Sequence, residues 1–128
     1  MHEKNPCMLG IFARESLAAE ALIEVPSAVE GERIRDLSDV TFDPRTGSVL
    51  LLSDESRAIF EFGLAGDMHR VPSKVRFRSR TPLPPLVDSK RLQPEGIDFD
   101  ADGNLWIACD AGRRVLYLER GAYAAGSE

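Results

Sequence analysis

Four acidic side chains, Glu3, Asp54, Glu95 and Asp110, stand where chemistry would first be sought. Asp54 and Asp110 follow short apolar runs and Glu95 opens a strand, places where a chain changes direction and loop groups collect. Carboxylates that converge repel one another unless a cation or a proton comes between them. Hard oxygen ligands suit Ca²⁺ or Mg²⁺, so Ca²⁺ is the cofactor these four residues would take as metal ligands. Each also has a plainer reading. An Asp before a tight link commonly satisfies nearby backbone donors, and Glu95 could simply fix the start of its strand. No catalytic set is assigned: His2 and His69 have no nucleophile and acid at a recognisable spacing, and P-loop, nucleophile-elbow and HExxH patterns are absent. Asp98, Asp100, Asp102 and Gly103 imitate the opening of an EF-hand loop. The twelfth position, however, is Cys109 and the flanks are apolar strands, so this segment reads as a hairpin.

The elements that must position these residues emerge when the chain is compared with itself. Residues 37–62 run LSDVTFDPRTG, SVLLLSDES and RAIFEF, and residues 94–118 run PEGIDFDADG, NLWIACDAG and RRVLYL. Val40, Phe42 and Asp43 match Ile97, Phe99 and Asp100 at an offset of 57 residues. From Gly47 and Gly103 onward the offset is 56, because the first turn carries one extra residue. Such a self-match takes precedence over any other reading of a sequence. Each unit predicts a strand, a turn built on Asp and Gly, a second strand, a punctuated link and a third strand.

The second strands, residues 49–53 and 105–109, are apolar throughout. That predicts cover on both faces, with Trp106 packing blade to blade. Antiparallel units covered on both faces fit blades stacked around an axis. The predicted fold is therefore all-β: a partial β-propeller of about two to three antiparallel blades, truncated at its N-terminus. The expected units are residues 2–25, 35–78 and 94–119 of a single domain, 1–128, with a fourth strand near residues 68–77. A Pro-rich loop follows at 79–93, where prolines 82, 84 and 85 argue against a central strand, and 120–128 is expected to be a flexible tail. Residues 16–21 have helical propensity over a run too short to stand alone, and 21–25 read as strand. Returning strands would bring Glu3, Asn5, Ser38, Asp39, Asp54, Glu55, Glu95 and Asp110 to one mouth of the channel. Glu95 comes first among them because it opens an innermost strand.

The bulk numbers narrow the classes. A hydrophobic fraction of 43% with 29% charged residues describes a globular chain. A net charge of −5 weighs against a nucleic-acid surface; the one basic stretch, residues 70–80, reads as a solvated strand face. Cys7 and Cys109 lack metal-ligand spacing and read as buried small side chains. No run approaches 18 apolar residues, so no transmembrane segment is expected. Residues 1–12 lack the pattern of an export signal.

Three stretches carry a family resemblance: EKNP at 3–6, LLLSDESR at 50–57 and, most specifically, QPEGIDFDADGNLWI at 93–107. Over residues 2–119 the chain resembles the C-terminal half of the SdiA-regulated, YjiK-like β-propellers. Departures occur at Ser38-Asp39, where the family usually has Ser-Gly, and at residues 109–112. The resemblance implies a periplasmic or inner-membrane-anchored protein of poorly defined function, with the export signal missing here. The expected function is thus a non-enzymatic binding or structural module. The alternatives are a Ca²⁺-dependent, lactonase- or esterase-like hydrolase, suggested by Pro94-Glu95-Gly96, and a scaffold completed by self-association through open blade edges.

Overall fold

A computed structural model describes residues 8–12, 14–65, 74–83, 93–110 and 114–119. The fold is essentially all-β, with four antiparallel sheets and no closed barrel among the described residues. β1 (Met8–Phe12) pairs with β2 (Ala19–Glu24), and β3 (Ala28–Val29) with β4 (Glu32–Arg33). A four-stranded blade follows in the order β5 (Leu37–Asp43), β6 (Ser48–Ser53), β7 (Ala58–Ala65) and β8 (Lys74–Pro82). The next sheet has β9 (Pro94–Phe99), β10 (Leu105–Cys109) and β11 (Arg114–Leu118), with β10 central. Strand, rather than helix, takes the segment from Ala19, because Leu9 and Ile23 pair across β1 and β2 and are both buried. No helix among the described residues is long and apolar enough to cross a membrane.

The hairpin turns form as the Asp and Gly residues dictate. Gly47 and Gly103 adopt φ of 71° and 84°, and their amides return to the carbonyls of Asp43 and Asp100. Both values lie where side chains are disfavoured and glycine is not. Each turn aspartate also accepts from the backbone ahead of it: Asp43 from Arg45, and Asp100 from Asp102 and Asn104.

Two apolar clusters bond the sheets face to face. One face of the central blade, with Val49, Leu51, Ala58, Phe60 and Phe62, packs on Leu9, Ile23, Val25, Val29 and Ile34. Its other face, with Leu50, Leu52 and Ile59, packs on Ile97, Leu105, Ile107 and Cys109. Hence every position of β6 is buried, as its unbroken apolar run predicts. β10 behaves otherwise: Leu105, Ile107 and Cys109 are buried, but Trp106 and Ala108 are exposed. The expected blade-to-blade role of Trp106 is therefore not met within the described residues, where no layer covers that face. Its indole donates to Asp100 Oδ2 at 2.9 Å and meets Tyr117 edge-on, with ring centroids 4.9 Å apart.

β8 runs beyond the predicted strand and ends on Pro82, paired with Ala58. The proline is tolerated because β8 is an edge strand and one of its sides has no ladder to complete. The basic stretch supplies bonds along this strand. Arg78 donates to Thr46 O and Ser48 Oγ, while Arg80 Nε lies 2.7 Å from Glu32 Oε2. The Arg80 guanidinium also stands over the Phe60 ring. Cys7, Met68 and the greater part of the 79–93 loop fall outside the described residues.

Glu61, opposite Leu50 on β7, is only 4% exposed, and its Oε1 has no hydrogen-bond partner among the described residues. Burial raises its carboxyl above the ordinary value; the Arg78 charge and a Ser48 hydrogen bond oppose this without cancelling it. The folded state therefore binds this proton more tightly than the unfolded chain does, and the associated stability is lost as pH rises through the raised value. Glu61→Gln is expected to gain about 1–2 kcal/mol near pH 7, with the gain shrinking near pH 4. Urea midpoints at the two pH values measure it. A variant less stable at neutral pH would mean that attraction to Arg78 outweighs burial.

Candidate functional site

The innermost strands of the two units, β5 and β9, run side by side as edges of separate sheets. An edge strand leaves alternate backbone amides without a ladder partner, and each must find an acceptor. Carboxylates supply it here. Asp39 Oδ1 accepts from Val40 N and Oδ2 from Ile97 N, both at 2.8 Å, so one side chain ties β5 to β9. Asp98 Oδ1 accepts from Phe99 N at 2.8 Å and from Thr41 Oγ1 at 3.3 Å, a second link between the same strands. Gly96 lies beside Asp39 Oδ2, and a Cβ there would stand 3.9 Å from that oxygen.

At one end of these strands the turns interlock. Arg45 Nε lies 3.3 Å from Asp43 Oδ1, and Nη1 donates to Asp102 O at 3.3 Å. The guanidinium rests on Gly103, where any Cβ would collide with it. Gly103→Ala is expected to cost about 1–2 kcal/mol through its positive φ and also to displace Arg45. Gly47→Ala should pay the φ cost alone, since nothing lies within 4 Å of its would-be Cβ. Thermal denaturation of both variants, each combined with Arg45→Ala, separates the two effects. An equal loss for both glycines, unaffected by Arg45→Ala, would remove the interlock.

At the opposite end the chain approaching β5 is fastened to the link after β6. Asp54 N donates to Asp36 O, Ser56 Oγ accepts from Arg35 N, and Ser53 Oγ donates to Arg35 O. Asp110 N donates likewise to Gln93 O at 3.0 Å, closing the next unit in the same way. Asp54 Oδ1 is buried with no hydrogen-bond partner among the described residues. Burial raises the Asp54 carboxyl first, the charges of Asp36 and Glu55 raise it further, and Arg57 opposes them. Burial and the Asp54 charge together push up the Cys109 thiol on the neighbouring sheet. This rim thus brings Asp36, Glu55 and Cys109 each within electrostatic reach of Asp54.

The proposed ligands are placed unevenly. Asp54 is part-buried at this rim, whereas Glu95 on β9 and Asp110 are exposed. Glu3 and Asn5 lie outside the described residues. Among the described residues no group of three or more His, Cys, Asp or Glu is placed to hold a metal ion. Sequence reasoning missed Asp36, and it treated Asp39 as one rim carboxylate rather than as a clamp.

The SdiA-regulated family model matches residues 1–111. That span covers almost the whole chain and overturns the expectation of a likeness confined to the family's C-terminal half. No curated protein and no solved structure matches.

Proposed function

From the premise that the chain belongs to the SdiA-regulated family, we propose that it is a non-catalytic binding or structural module. Its sheets form part of a β-propeller, with the four-stranded blade, the three-stranded sheet that repeats it and the β1–β2 hairpin as a further layer. The observation that carries this reading is where the polar side chains are spent. Asp39, Asp43, Asp98 and Asp100 each accept from backbone amides, and Ser53 and Ser56 bond the chain approaching β5. A general base or nucleophile must instead present its atom to a substrate. Hydrolysis assays with lactone, aryl ester and phosphoester substrates, with and without Ca²⁺, test the proposal. No turnover above the buffer rate is expected; turnover that is lost in Glu95→Gln would establish the hydrolase instead.

A cation at the rim has one observation in its favour, the buried and unpartnered Asp54 Oδ1 beside Asp36 and Glu55. Ca²⁺ at Asp54 would offset the charge that Asp36 and Glu55 set beside it, with Glu95, Asp110 and Glu3 as the further candidate ligands. Calorimetry should then give weak binding that Glu95→Gln and Asp54→Asn each reduce. Equally tight binding by all three proteins would remove these residues from the site.

A further inference from the structure

Among the described residues nothing covers one apolar face of β10 and β11. Trp106 is 44% exposed, Tyr117 47% and Val115 61%, with Ala108 exposed beside them. The strand register shows what this face corresponds to. Trp106 pairs with Asp98 and Tyr117, just as Leu50 pairs with Thr41 and Glu61 on the preceding sheet. Ala108 and Val115 pair with each other as Leu52 and Ile59 do. Leu50, Leu52 and Ile59 are all buried, and what covers them is the opposite face of the following sheet. A face of the opposite kind is likewise without a cover among the described residues. On β1–β2, Leu9 and Ile23 turn inward to the central blade, while Leu22, opposite Gly10, is 65% exposed on the other side.

We propose that the Trp106–Val115 face docks against the outward β1–β2 face of a second copy of this chain. The inference rests on the stacked-blade reading above and extends it to an interface. The contact continues the packing already used twice within the chain, with each face covered by the layer type that covers its counterpart. One junction leaves the same two unlike faces free at the far ends, so a second identical junction can form between the same two molecules. Two copies of the three described layers bring about six, within the range of roughly four to eight blades at which propellers close. Closure gives a ring and not an open filament.

Trp106 is the single tryptophan, so its emission reports directly on whether the face is covered. The experiment is sedimentation with tryptophan fluorescence on wild type, Val115→Lys and Leu22→Lys, with circular dichroism as a fold control. Both substituted positions are exposed in the single chain, so folding should be retained. Wild type is expected to be dimeric at about 100 µM and to shift its emission to the red on dilution. Each variant should weaken dimerisation by about tenfold or more. Mixing the two variants should restore part of the association, because one of the two junctions then joins two unaltered faces. A wild type that stays monomeric with solvent-exposed Trp106 emission overturns the proposal. So does a dimer indifferent to Val115→Lys, or one that Leu22→Lys leaves intact. Absence of turnover in a monomeric wild type would leave the binding-module reading standing while this one failed.

Discussion

Phe60→Ala is expected to remove about 3–5 kcal/mol of stability, the usual cost of emptying a large buried site. Phe60 is fully buried at the centre of β7, between Leu51 and Arg80 in the register. It lies in the cluster that joins the central blade to Leu9, Ile23, Val25 and Ile34. A cavity there loosens two layers at once, and the neighbouring strands cannot close it without giving up their ladders. Against a typical total of about 5–15 kcal/mol, the loss threatens the fold itself. The melting temperature should fall by about 10–20 °C. Leu17→Ala, at an exposed position in the turn before β2, should stay within about 0.5 kcal/mol. Comparable effects at both positions would mean that the first cluster does not hold the layers together.

Asp39→Ala should cost about 2–3 kcal/mol, because it deletes the acceptor for two backbone amides at once. Ile97 N then faces β5 with no ladder partner on that side of its edge strand, and the sheets lose a direct tie. Asp39→Asn is the informative companion. Its amide keeps one oxygen and replaces the other with a donor, so only one of the two bonds survives and about half the loss is expected. Urea denaturation of the three proteins measures this. An Asn variant as poor as Ala would show that both oxygens must accept together; an Ala variant as stable as wild type would remove the clamp.

The hairpins were legible in the sequence because their determinants are local. Asp43, Gly47, Asp100 and Gly103 announce the turns, and the apolar runs of β6 and β10 announce the strands between them. Legibility fails wherever a bond crosses between sheets. Asp39 with Ile97 and Arg45 with Asp102 join residues far apart in sequence, and neither pair follows from a periodic pattern. Trp106 was misplaced for a related reason. An apolar strand looks the same whether its second face is covered by its own chain or left open. Of the candidate ligands, Asp54 could be read from its place before a tight link. Its neighbour Asp36 was not noticed, since it lies just before β5, outside the matched unit.

Asp39 and Asp98, on the inner strands, hold the two sheets together. Amide hydrogen exchange at Ile97 tests this most directly, since that amide has its acceptor in a side chain of the neighbouring sheet. Ile97 should exchange about as slowly as the amides of β6 in wild type, and should lose that protection in Asp39→Ala while β6 and β7 keep theirs. Exchange of Ile97 at the rate of an exposed amide in wild type, or protection unchanged by Asp39→Ala, would contradict the account.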